Sequence, residues 1–216
     1  MPIAGRFALG ACLALMSISH AALGQTPLTG ILNGTGSLVL SPSGITFVNA
    51  GTGTFKVDIT STGSFAPLAL TTASIQSIGQ AVVAGTPTSV PNFITFAAQP
   101  TASVTLTLLL PGAFTSAACA AAPAVAQTCT PTGSPFSFTN VTATSSTVSF
   151  AIAGTASNAG APSSITAVFT AQLSDRSYQS VLASLAAAGS LATTYSATLR
   201  ATALSAGAVP ASGSAR

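Results

Sequence analysis

Residues 54–60 read Thr-Phe-Lys-Val-Asp-Ile-Thr, with apolar and polar side chains in alternation. Because successive side chains of a β-strand point to opposite faces of a sheet, this pattern predicts a half-buried strand. Its Phe, its Val and Ile59 are expected to face the core, and the charged Lys56 and Asp58 are expected to face solvent.

Similar short segments recur along the chain and are separated by Gly, Pro, Ser and Asn, which favour turns. The sequence Ser-Pro-Ser-Gly at 41–44 predicts a hairpin turn between strands at 37–40 and 45–48. Further strands are expected at residues 67–71, 93–96, 103–110, 136–142, 147–153, 164–173 and 191–200. About ten such strands predict an all-β fold, an antiparallel β-sandwich.

Residues 175–188 depart from this pattern, because their apolar side chains recur at helical spacing. We expect one short helix near the C-terminus, capped at its start by Ser174 or Asp175 and closed by Gly189 in a left-handed conformation. Asp175 and Arg176 would then be an exposed cap and surface pair.

The chain divides into three predicted parts. Residues 1–24 are expected to be a signal peptide, residues 25–203 a single β-sandwich domain, and residues 204–216 a flexible tail rich in Ala, Gly, Ser and Pro.

The signal peptide is predicted from a basic residue, Arg6, followed by an apolar run over residues 7–16. Small residues then precede an expected cleavage between Gly24 and Gln25. The protein would accordingly be secreted, periplasmic or at the cell surface.

Two alternatives to cleavage bear on the same segment. An N-terminal membrane anchor would need roughly 20 apolar residues, more than this run offers. Acylation at Cys12, in a sequence similar to a lipoprotein lipobox, would leave fewer apolar residues after Arg6 than the roughly 7–15 of a normal signal peptide. Past the leader, every long apolar stretch is interrupted, so no integral membrane span is expected in the mature chain.

Charged residues are scarce, and none lies between Asp58 and Asp175. The one histidine, His20, lies in the expected leader, so a Ser-His-Asp triad has no base. Paired-carboxylate hydrolysis would require Asp58 and Asp175 to meet. General acid–base and metal chemistry need such groups in clusters. We therefore expect no enzyme activity, no catalytic or metal-binding residues and no cofactor.

The positive charges are equally sparse. The mature chain would carry Lys56, Arg176, Arg200 and Arg216, which are scattered along the sequence. Nucleic-acid binding requires clustered Lys and Arg, so no nucleic-acid partner is expected.

Cys119 and Cys129 are the cysteines that would remain after cleavage. In an exported chain such a pair favours a disulfide, and no further Cys or His is present to complete a metal site.

Three segments carry a resemblance to a known class of proteins. They are Phe136-Ser-Phe-Thr-Asn-Val-Thr142, the Val-Ser-Phe-Ala-Ile-Ala-Gly-Thr sequence that starts at Val148, and the helix that leads into Thr194-Tyr-Ser-Ala-Thr-Leu199. Together they resemble exported bacterial proteins of the kind sorted by PEP-CTERM systems, which implies an all-β surface or matrix domain. Val209-Pro210-Ala211 lacks the glutamate of the Pro-Glu-Pro sorting signal, so anchoring by that route is not expected.

These features favour a non-enzymatic structural protein of the surface or extracellular matrix. It would act through packing and weak polar contacts, with self-association or a surface polysaccharide as its possible partner. A carbohydrate- or small-ligand-binding module is the main alternative, although the chain has no Trp and only two Tyr for sugar platforms. A fimbrial or adhesin subunit that exchanges strands is the other.

Overall fold

The computed structural model describes residues 26–41, 44–48 and 53–204, and these form an all-β fold with one α-helix. The strands are Gly30–Ser41 (β1), Gly44–Val48 (β2), Thr54–Val57 (β3), Thr72–Ile75 (β4), Ile78–Gly79 (β5), Pro87–Phe96 (β6), Ala102–Leu109 (β7), Thr128–Cys129 (β8), Ser137–Thr142 (β9), Ser145–Asn158 (β10), Ala161–Leu173 (β11) and Leu191–Ala203 (β12). A 3-10 helix covers Gly63–Leu68, and α1 covers Tyr178–Ala188.

The strands close into an eight-stranded antiparallel barrel, so the prediction of a sandwich was wrong. The ring runs β11, β12, β1, β3, β4, β6, β7, β10, and it closes because β11 pairs with both β12 and β10. Closure removes the unpaired strand edges that a sandwich would leave.

The hairpin of β10 and β11 forms the longest strand pair of the barrel. A two-residue turn joins the strands, with Ala159 at φ 50° and Gly160 at φ 94°. Positive φ at both positions is the type I′ geometry that matches the twist of a hairpin. At some distance from this turn, a bulge between Ala153 and Gly154 of β10 shifts the register of β10 against β7. Bulges of this kind bend a strand, which helps the sheet to curve into a barrel.

Two strands change partners along their length, and the wall splits there. In β1, residues 34–36 pair with β3 and residues 37–41 pair with β2. In β10, residues 152–158 pair with β7 and residues 145–149 pair with β9. Both splits occur at the α1 end of the barrel, where β2 carries β5 and β9 carries β8 outside the ring.

The core is an aromatic cluster inside the barrel. Phe150 and Phe169 stack with their ring centroids 4.7 Å apart, and Phe47 and Tyr195 pack against Phe169 at 5.6 and 5.5 Å. Gly36 makes room for this packing, because a Cβ there would lie 2.8 Å from the Tyr195 ring.

The strand predicted over residues 54–60 is confirmed only as far as Val57. Its apolar residues up to that point are buried, but Ile59 is 70% exposed, so its predicted core position was wrong. The chain turns at Asp58, whose carboxylate accepts hydrogen bonds from the Thr60 amide and hydroxyl, both at 2.8 Å. This Asx-type turn stops the alternation, and Asp58 lies in a turn rather than on a strand face.

Other element predictions had mixed outcomes. The hairpin between β1 and β2 is confirmed, with Leu38 paired to Phe47. Residues 67–71 were predicted as a strand, but they contain the end of the 3-10 helix and a turn with Leu70 at φ 64°.

The C-terminal helix is confirmed with a different cap. Its N-cap is Ser177, whose Oγ accepts from the Ser180 amide at 3.4 Å, and neither Ser174 nor Asp175 caps it. Gly189 closes the helix in the left-handed conformation, as predicted.

Candidate functional site

The charged side chains of the described ranges do not assemble into a reaction centre. Lys56 and Asp58 are neighbours, whereas Asp175 and Arg176 lie exposed before α1 and Arg200 lies on β12. Hydrogen bonds from the backbone and side chain of Thr60 lower the pKa of Asp58, with a smaller contribution from Lys56. No group of three or more His, Cys, Asp or Glu side chains is placed to hold a metal ion in these ranges.

The barrel interior is filled with side chains. A void bordered by Leu32, Phe55 and Leu199 measures about 10 Å³, which is smaller than any organic ligand. A ligand would therefore have to bind at the outer surface or at the splits in the wall.

A surface cleft of about 640 Å³ lies beside β2, next to the ring strands β4 and β6. Phe47 and Ile75 form its apolar floor, and both are buried. Among the described residues that line it, none is charged. Hydroxyl and amide side chains form the walls: Thr46, Ser74, Gln76, Ser77, Asn92 and Thr95. The volume falls within the range of small-ligand pockets.

The rim of this cleft is held by an irregular segment of β6. Asn92 has φ 54° and follows Pro91, within the second of two register shifts in the pairing of β6 with β7, the shift between Val90 and Ile94. The Gln76 side chain donates from Nε2 to the carbonyl oxygens of Pro91 and Asn92, at 2.8 and 2.9 Å. Bulges of this kind re-aim side chains and are frequent next to binding sites.

A second groove, of about 430 Å³, lies between the β2–β5 pair and the segment before β9. Ile45, Ile78 and Phe136 form part of its lining. Val83, which also lines this groove, is 56% exposed.

The outer face of β1, β12, β11 and β10 is covered with hydroxyl groups. The strand register aligns Thr35, Ser196, Thr170 and Ser149 in one row across the four strands. Arg200 is the one charged side chain among the described residues of this face. Val168 lies in the next outward-facing row, paired with Thr198 of β12, and is 49% exposed.

The predicted disulfide between Cys119 and Cys129 is confirmed, with the two Cα atoms 5.1 Å apart. It closes a loop that α1 also holds, because the Tyr178 hydroxyl donates to the Ala118 carbonyl oxygen at 2.8 Å. Next to β8, the Thr130 backbone N–H donates to the carbonyl oxygen of Thr115 at 3.1 Å, which ties the segment before the loop to the residue that follows it. The disulfide and these hydrogen bonds together hold the loop in place, so the two cysteines have a structural role.

Loss of this disulfide is expected to lower the free energy of unfolding by about 3 kcal/mol, mainly because the unfolded chain loses a crosslink. The measurement is urea unfolding of the Cys119→Ser/Cys129→Ser variant against the oxidised wild type. A reducing agent should destabilise the wild type to the same extent and leave the double variant unchanged. Equal stability of the oxidised and reduced wild type would contradict the prediction.

Tyr195 is 3% exposed, and its hydroxyl has no hydrogen-bond partner among the described residues. Burial raises the pKa of this hydroxyl far above its ordinary value of 10.0. The unfolded chain would therefore lose the proton first as the pH rises. The stability that the neutral Tyr195 provides is complete below pH 10 and is lost above it.

We expect the free energy of unfolding to fall above pH 10 by up to about 1.4 kcal/mol per pH unit from this residue. Tyr195→Phe should remove that part of the slope and should change stability at neutral pH by less than about 1 kcal/mol, because an unbonded hydroxyl is lost. Urea unfolding of both proteins from neutral to alkaline pH tests this. An identical alkaline slope in the two proteins would exclude Tyr195 as its source.

No protein-family model matches the sequence, and comparisons with curated proteins and with solved structures gave no match. Within the described ranges, no helix has the length and apolar character needed to cross a membrane.

The predicted site residues had different outcomes. Gly24 and Gln25, the expected cleavage position, lie outside the described residues, as do residues 205–216 of the expected tail. The cleft beside β2 was not predicted, because its neutral polar residues belong to several segments and match no motif. Asn92 in a Pro-Asn pair was the one local signal of an irregular strand.

Proposed function

We propose that this protein is a non-enzymatic, exported structural component of a cell surface or extracellular matrix. The observation that carries the proposal is the outer face of β1, β12, β11 and β10, which presents an aligned row of hydroxyl groups and, among its described residues, a single charged side chain. A neutral face has weak electrostatic repulsion, so copies of the chain can approach one another closely. The filled barrel provides a rigid body for such packing.

Self-association through this face is tested by sedimentation velocity of the mature protein over a wide range of concentrations. We expect association that increases with concentration and that Val168→Lys abolishes, because the lysine places a charge at the centre of the face. Ala66→Lys, at an exposed position of the 3-10 helix, is the matched control and should associate like the wild type. A strictly monomeric wild type would overturn the proposal.

Export is tested separately by fractionation of the native cells and N-terminal sequencing. A mature chain that begins at Gln25 in the medium, periplasm or outer surface would agree with the proposal. An uncleaved chain in the cytoplasm would contradict it.

Binding of a carbohydrate or another small neutral ligand is the second candidate function, and the cleft beside β2 favours it. The cleft combines an apolar floor with neutral hydrogen-bonding walls. This function is compatible with a matrix role, because a surface polysaccharide would then be the partner.

A further inference from the structure

The geometry points to the cleft beside β2 as a binding site for a neutral, polyhydroxylated ligand, a surface or matrix oligosaccharide. This inference rests on the second candidate function and assigns it to named residues. Support comes from the unpaired polar groups of the cleft, from the fixed shape of its rim and floor, and from the lack of charge among its described lining residues.

Several polar side chains in the cleft are free to bind a ligand. The side chains of Thr46, Ser74, Asn92 and Thr95 make no hydrogen bond to another described residue. Hydroxyls and amides both donate and accept, so together they can match the alternating donors and acceptors of sugar hydroxyls.

The rim of the cleft is preorganised. Gln76 uses both hydrogens of its Nε2 on the carbonyl oxygens of Pro91 and Asn92, which leaves its Oε1 as an acceptor. The same residue donates its backbone N–H to the Phe93 carbonyl oxygen at 2.9 Å. These bonds hold Asn92 in the left-handed conformation, and a fixed site loses less entropy when it binds a ligand.

The floor is also fixed. The Phe47 backbone N–H donates to the Ser77 Oγ at 3.2 Å, which ties β2 to the segment after β4. Gly53 lies against this floor, where an added Cβ would be 2.9 Å from the Cβ of Phe47.

The charge of the lining restricts the ligand class. None of the lining residues that the structure describes carries a charge, so an acidic polysaccharide would find no counter-ion among them. Burial of an unpaired charge is costly, whereas neutral hydroxyls need only hydrogen-bond partners. A neutral oligosaccharide therefore fits the lining better than a phosphorylated, sulfated or uronic-acid ligand.

The test is a glycan array with the mature protein, followed by calorimetric titration of the strongest neutral oligosaccharide. Two variants remove ligand-binding groups without altering the scaffold. Asn92→Gly keeps the left-handed backbone and removes the amide, and Thr46→Val keeps the shape and removes a hydroxyl. Each should weaken binding about tenfold, as expected for one or two lost hydrogen bonds.

Gln172→Ala is the control, because it removes an exposed amide from β11, on the hydroxyl-covered outer face. It should bind like the wild type, and thermal unfolding should show that all variants are folded. If the protein binds a neutral glycan and both cleft variants bind it as tightly as the wild type, the assignment to the cleft is overturned, but the binding function stands. A complete lack of glycan binding, or selective binding of acidic glycans, would overturn the inference, and self-association would still be decided by the Val168→Lys comparison.

Discussion

Asn140→Ala is expected to destabilise the fold by about 4 kcal/mol, a large effect for a polar residue. Asn140 is fully buried, and its Oδ1 accepts from the Tyr178 backbone N–H at 2.8 Å while its Nδ2 donates to Gln179 at 3.0 Å. Alanine removes both bonds and leaves the Tyr178 N–H buried without a partner. The measurement is the free energy of unfolding in urea, together with the temperature of unfolding.

The same residues form a network that joins three parts of the chain. Gln179 donates from Nε2 to the Gln127 side chain and to the Ala121 carbonyl oxygen, so α1 is bonded to both β9 and the disulfide loop. Bonds within such a network are coupled. Asn140→Ala and Gln179→Ala should therefore be less destabilising together than the sum of the two separate losses.

Val141→Ala is the matched control for Asn140→Ala. Val141 is the next residue of β9 and is 55% exposed, so its truncation should change stability by less than about 0.5 kcal/mol. If Asn140→Ala lowered the free energy of unfolding no more than this control, the hydrogen-bond network would not stabilise the packing of α1. Strict additivity with Gln179→Ala would show that the two side chains act independently.

The strands could be predicted from the sequence, but the closure of the barrel could not. Alternation of apolar and polar residues identifies a sheet face in β11 and β12 equally well for a sandwich and a barrel. Closure depends on β11 having two long partners, and that pairing is a property of the whole ring. The glycine at position 36 of β1 could have indicated close packing against a large side chain. The sequence does not show that this side chain is Tyr195, which lies far along the chain.

Local errors had local causes. Ile59 was assigned to the core because it continues the alternation, yet the Asp58 side chain forms a turn with Thr60 that ends the strand. Residues 67–71 have the composition of a strand, but Pro67 lies within a 3-10 helix. In each case, hydrogen bonds or helical turns outweighed the β pattern.

The candidate cleft has the weakest signal in the sequence. Thr46, Ser74 and Asn92 are ordinary residues of an exposed sheet, and they meet because β1 changes partner from β3 to β2. Because charged residues are scarce, hydroxyls and amides are the main polar side chains of this chain. Their position required the structure, because a cleft at a split in a sheet depends on long-range pairing.

Phe169→Ala is expected to cost about 4 kcal/mol of stability, because it opens a cavity at the centre of the aromatic cluster. Phe169 is 2% exposed, stacks on Phe150, and contacts Phe47 and Tyr195. These neighbours come from β10, β2 and β12, so the ring fills the space where the barrel and its extensions meet. Because strands of the closed wall cannot move inward independently, the cavity should collapse only in part. Urea unfolding measures the loss.

Val168→Ala separates this cavity effect from a change in strand propensity. Val168 precedes Phe169 on β11 but points outward and is 49% exposed, so its truncation should cost less than about 1 kcal/mol. Phe169→Leu should restore much of the stability, because leucine fills most of the volume without the ring contacts. Suppose that Phe169→Ala lowered the free energy of unfolding no more than Val168→Ala. The aromatic cluster would then not be the centre of the core, and other core residues would have to stabilise the closed barrel.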